Sequence, residues 1–193
     1  SSYLFAEPRS LTMEQWSFSH HEMVTLSEAL QIAEEVTSDY YKFSSRQWRR
    51  HPYDVKPRAT WHHLSAPNHV FAVLNKGLTT DEFMWPRSKG RDFYFILLHD
   101  EKILSAIARD EKLNLLPLML YVFTHELIHI VRFSNFIQRF EVNKEAREEE
   151  EKRVHGLTYE VLRRVPIKDL RYVLEAYETH RVCKLGLLGS ERK

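Results

Sequence analysis

The chain has 193 residues, 43% of them apolar and 28% charged, with a formal net charge of +1. That length suffices for one domain with a real core, read over 1–193, and the near-neutral charge excludes the broad positive field that draws nucleic acid or acidic membranes. One cysteine, Cys183, excludes an internal disulfide; with no signal-like N-terminus and no uncharged stretch of membrane-spanning length, the expectation is a cytoplasmic protein with neither nucleic acid nor membrane as partner.

Thr25-Leu26-Ser27-Glu28 has the form of a capping box, and Leu26, Leu30, Ala33 and Val36 follow at helical spacing. They predict a helix over about 26–41. Residues 44–57 carry Arg46, Arg49, Arg50, His51 and Lys56 and read as a solvated loop, because charge runs are usually wet faces. Residues 58–64, 70–74 and 92–98 are aromatic or β-branched and are separated by Pro67, Gly77, Pro86 and Gly90; they read as strands.

A short helix is expected over 100–108. Asn114 stands where it would cap the next helix, Pro117 is tolerated in its first turn, and that helix should run to about 133. Asn143 caps a further helix to about 165, where Pro166 stops it, and Leu170, Val173, Leu174 and Tyr177 mark a last helix over 169–183. Helix, small sheet, then helices is an α+β order and not a βαβ alternation.

The chemistry is concentrated in His125-Glu126-Leu127-Ile128-His129, which spells H-E-x-x-H directly after the apolar run 115–123. Positions i and i+4 share one helix face, so both imidazoles can reach one metal ion, with Glu126 placed to take a proton from water there. Three ionisable side chains in so apolar a segment are costly to bury unless paired or metal-bound. A catalytic zinc site takes three protein ligands. No Gly-x-x-His continuation follows His129, so the third must come from further along, where Glu148, Glu149, Glu150, Glu151 and His155 stand on one helix. Val154, Leu157, Val161 and Val165 define its apolar stripe. Glu150 falls near the centre of that stripe and Glu151 on its flank, while Glu148 and Glu149 turn toward water. Glu151 and His155 share a face, so that one can bind metal while the other supports it.

Over His125 to His155 the chain resembles the zincin metallopeptidases, in particular the gluzincin branch, whose third ligand is often the Glu of a Glu-x-x-x-Asp pair. Glu151-Lys152-Arg153-Val154-His155 has that spacing, with His in place of the final Asp. The resemblance implies a zincin-like fold, a small mixed or antiparallel sheet packed on a buried metal-ligand helix with further C-terminal helices. It also implies a Zn2+-dependent peptidase acting on a peptide or protein. His125, His129 and Glu151 would be the ligands, with His155 and then Glu150 as alternatives for the third, and Glu126 the general base. An edge strand beside the metal would pair with substrate, for which 92–98 is the candidate. The oxyanion donor is left open among Tyr94, Tyr159, His180 and Arg132.

Two other readings stand beside this one. A non-catalytic metal-binding regulatory protein would have no use for Glu126. A di-iron protein would need a second Glu-x-x-His, and neither Lys152 before His155 nor Tyr177 before His180 supplies it. His20-His21, His62-His63 and the pair His180 and Cys183 lack partners at metal-site spacing and read as ordinary residues.

Overall fold

A helix that is apolar on every side has to be enclosed by the rest of its chain. The computed structural model, which describes residues 16–62, 64–65, 70–76, 93–135, 143–177 and 183–185, is built around such a helix. The described elements are α1 (His20–Tyr41), α2 (Ser45–Arg50), β1 (Tyr53–Lys56), a 3₁₀ turn (Arg58–Trp61), β2 (Ala72–Lys76) and β3 (Tyr94–Leu98). They continue with α3 (Asp100–Arg109), α4 (Leu115–Ser134), α5 (Lys144–Leu162), α6 (Leu170–Tyr177) and β4 (Cys183–Leu185). The class is α+β, as the element order implied. Every residue of α4 from Pro117 to Ser134 is buried. Helices α1, α5 and α6 pack on it, and strands β2 and β4 reach it from the sheet.

The sheet is mixed, with strand order β1-β3-β2-β4. β1 runs parallel to β3, β2 antiparallel to β3, and β4 parallel to β2. This corrects the strand expectations in three ways. The described residues of the stretch 58–64 form no strand: Asp100 Oδ1 accepts the Arg58 N–H at 3.1 Å, and the Arg58 guanidinium donates to the carbonyls of Trp61 and Leu64 at 2.6 and 3.1 Å. The same guanidinium lies 4.0 Å over the Trp61 ring, so the segment is closed into a turn. The first strand lies instead at Tyr53–Lys56, within the expected loop, where Asp54 and Lys56 pair at 3.0 Å and α2 fills the preceding residues. Cys183, expected at the end of a helix, begins a strand.

Helix ends follow local chemistry. α1 starts earlier than expected: Ser19 accepts from Glu22 N at 3.2 Å and Glu22 returns the bond, so the box is Ser19 to Glu22 and Thr25-Leu26-Ser27-Glu28 lies inside the helix. It ends where Lys42 takes a left-handed conformation, φ 52°, and Phe43 N bonds back to Ser38 O at 2.9 Å. Asn143 caps α5 as expected, accepting from Ala146 N at 2.9 Å. Asn114 precedes α4, but its amide donates to Asp169 at 2.7 Å and makes no cap bond to the helix.

One buried ion pair fastens α5 to the centre. Arg132 near the end of α4 meets Glu150 through both faces of a fork, Nε to Oε1 and Nη2 to Oε2, the latter at 3.0 Å. Their side chains are 7% and 4% exposed, so neither charge has water to fall back on. Breaking such a pair on one side costs about 3–5 kcal/mol, whereas replacing both partners by apolar groups is often neutral. Glu150→Ala is therefore expected to lower the urea midpoint strongly, and Arg132→Met with Glu150→Leu to restore most of it. A single-variant loss under about 1 kcal/mol would show that the pair does not hold α5.

Candidate metal centre

The two histidines of the motif come together because one helical turn separates them. Their Nε2 atoms lie 3.1 Å apart, with ring centroids 4.8 Å apart. Both side chains are almost wholly buried. Glu151, reaching across from α5, brings one carboxylate oxygen to 3.1 Å from His125 Nε2 and the other to 3.3 Å from His129 Nε2. Three donors thus face a common point from two helices. Ligands on a tetrahedral zinc at its usual bond lengths stand about 3.3 Å from one another. The spacing of His125, His129 and Glu151 fits that edge length, and the donor set of two imidazoles and one carboxylate fits the metal.

Glu126 is fully buried on the same turn, and its charge acts on His129. His155 stands one turn after Glu151, its ring 4.7 Å from that of His125, and its Nδ1 is 2.6 Å from the Tyr121 hydroxyl. A ring nitrogen of His125, a carboxylate oxygen of Glu151 and a ring nitrogen of His155 all lie within 4.8 Å of one another. Glu150, adjacent in sequence to Glu151, points about 100° away around α5 and is committed to Arg132. This removes Glu150 as a third ligand and Arg132 as a free cation over the site. Of the other oxyanion candidates, Tyr159 is 44% exposed, Tyr94 is buried in the core with its ring stacked on Phe133, and His180 lies outside the described residues.

The outer nitrogens are less well served. Nδ1 of His125 and Nδ1 of His129 are buried with no hydrogen-bond acceptor among the described residues. Ligating histidines usually donate there to a carbonyl or carboxylate. Here ring packing orients them: His129 stacks on Phe133 at 5.9 Å, and His125 leans on Tyr121 at 6.3 Å. Strand β3 is central in the sheet, its backbone paired with β1 on one side and β2 on the other. It has no edge to offer an extended substrate, contrary to the expectation for 92–98.

The electrostatics are those of a site built to hold positive charge. Burial pushes the His125 pKa down to about 4 and outweighs its hydrogen bond to Glu151. Burial pushes His129 the same way, but the Coulombic pull of Glu151, its hydrogen bond, and the charges of Glu126 and Glu150 outweigh it and leave the pKa raised. Burial works to raise Glu151, yet the two imidazoles together hold its carboxyl well below the ordinary carboxylate range. The two histidines of one pair thus move in opposite directions. Glu151 favours positive charge on His129, and burial disfavours it on His125.

No protein-family model, curated protein or solved structure matches the chain.

The pKa shifts set a pH dependence for the metal-free protein. His125 titrates near 6.5 unfolded and about 4 folded, so its neutral form contributes stability above about pH 6.5 that is lost as pH falls through 4. His99 and His155 shift the same way. His129 is raised, so its contribution is complete below about pH 6.5 and is lost as pH rises through its folded pKa. Urea midpoints measured from pH 7 to pH 4 should therefore fall, and His125→Gln should make that fall shallower. An identical slope in the variant would show that His125 is not buried neutral.

Proposed function

We propose that this chain is a zinc-dependent peptidase of zincin-like design, with His125, His129 and Glu151 as ligands. The observation that carries the proposal is the meeting of three donor atoms at 3.1–3.3 Å from one another, beside the buried carboxylate of Glu126. A purely structural site would have no need of a fourth ionisable group there.

When bound, zinc supplies a Lewis acid that polarises a carbonyl and brings the pKa of water toward neutrality. The remaining work falls to the chain. Glu126 accepts the proton of the attacking water and delivers it to the leaving amine, so that the peptide C–N bond breaks as the water oxygen joins the carbonyl carbon. Glu151 places net negative charge against the two neutral imidazoles. The buried walls of α4 exclude bulk water, which strengthens each of these interactions.

One observation favours a second reading, a non-catalytic metal-binding regulatory or interaction protein. His125, Glu126 and His129 are 0% exposed, and only Glu151 and His155 bring the site toward the surface. A centre sealed on the α4 side suits a structural or sensory ion as well as a substrate.

Glu126→Gln separates the two. The amide is nearly isosteric, so zinc content by elemental analysis should stay near one per chain, while zinc-dependent cleavage of casein or a peptide library should fall by about 10²–10⁴-fold. Undiminished cleavage would remove Glu126 as the base. A zinc-loaded wild type that cleaves nothing would transfer the site to the regulatory reading.

Metal content also ranks the third ligand. Glu151→Ala should lose zinc as completely as His125→Ala, while loss of a supporting group typically costs 10–100-fold in affinity. Glu148→Ala and Glu149→Ala should lose none. Chelator competition provides the ranking, and full zinc retention in Glu151→Ala would overturn the assignment.

A further inference from the structure

The ligand trio and its base leave one polar atom near the site without a role. Tyr121 stands one turn before His125 on α4, 2% exposed, and its hydroxyl lies 2.6 Å from Nδ1 of His155. The polarity of that bond decides what His155 can do. If Nδ1–H donated to the phenol oxygen, Nε2 would be a lone pair and a fourth ligand. If the phenol donates to Nδ1, the ring proton of the neutral imidazole sits on Nε2, which is then a hydrogen-bond donor and cannot bind metal.

The strengths of donor and acceptor decide between the two. The phenol is the more acidic of the two donors, and the Nδ1 lone pair is the better acceptor. At 2.6 Å the two atoms are in hydrogen-bond contact.

Nothing in the ligand trio is aimed at the charge that develops on a carbonyl oxygen during water attack, a charge every such hydrolysis has to stabilise. Resting on the peptidase reading above, we propose that His155 Nε2–H is that donor, and that Tyr121 is the positioning residue that fixes its tautomer. One ring nitrogen of His155, one of His125 and a carboxylate oxygen of Glu151 lie within 4.8 Å of one another, and with Nδ1 of His155 taken up by Tyr121 the nitrogen left for an oxygen there is Nε2. The bond is a hydrogen bond throughout. His155 gives up no proton, and the proton balance stays with Glu126 and the leaving amine.

The test needs a readout that does not depend on turnover. Nitrogen-15 NMR of the zinc-loaded protein should give the Nε2–H tautomer for His155, and Tyr121→Phe should yield a mixture of tautomers. Zinc content should be unchanged in Tyr121→Phe and in His155→Gln. Acetohydroxamate, which places an oxyanion on zinc, should bind each variant about 10–100-fold more weakly than wild type. In cleavage assays His155→Gln should lower kcat by about 10²–10³-fold with KM little changed. An Nδ1–H tautomer, or zinc loss in His155→Gln comparable to that in His125→Ala, would make His155 a ligand and overturn the proposal. Unchanged hydroxamate affinity would overturn it as well. If wild type cleaves no peptide, the peptidase reading falls by itself, while the tautomer and the hydroxamate affinity still decide the role of His155.

Discussion

Everything in this molecule is arranged around a polar problem placed in an apolar helix. α4 has no wet face, yet it carries two imidazoles and a carboxylate on adjacent turns. Groups of that kind cannot stay buried alone; each needs a hydrogen bond, an opposite charge or a metal. The helix cannot satisfy them from its own backbone, which is already committed. Their partners have to come from another element, and α5 brings Glu151 to both histidines at once.

The docking of α5 is the second consequence. Two neighbouring glutamates divide the labour because successive residues on a helix point about 100° apart. Glu150 turns inward to Arg132 and anchors the helix; Glu151 turns toward the histidines and meets both. Position within the acidic run, and not acidity, decides which carboxylate does which. Negative charge on Glu151 raises the His129 pKa against its burial, while His125, equally buried, is pushed down to about 4. A divalent cation would satisfy the lone pairs of both.

Much of this was legible where the signal is local. H-E-x-x-H on an apolar run identified the central helix and the two histidines; the stripe of α5 gave the phase that separates Glu148 and Glu149 from Glu150 and Glu151; Asn143 marked a helix start. The failures share a cause. The turn at 58–61 depends on Asp100, a residue far along the chain, and β1 exists only because β3 lies beside it. The central place of β3 depends on strand order, which single-strand patterning does not encode. Glu150 sat on the apolar stripe for a reason that needed Arg132 to be seen. Tyr121 gave no signal of its own, since an aromatic residue within an apolar helix looks like packing; its position four residues before His125 was the available hint.

The ion pair between Arg132 and Glu150 has a meaning beyond holding two helices together. His125 and Glu151 are 26 residues apart, and any cation bridging them closes a loop of that length, with a configurational entropy that grows as the logarithm of the span. Arg132 and Glu150 are 18 residues apart and close a shorter loop nested inside the first. Once that inner loop is shut, the outer one is almost shut as well, and little freedom remains for the incoming ion to remove. The pair sets how much of the chelating geometry exists before anything binds. Affinity at the centre is thereby tied to a contact one residue away along α5, through the statistics of the chain as well as through the charge that Glu150 presents to His129.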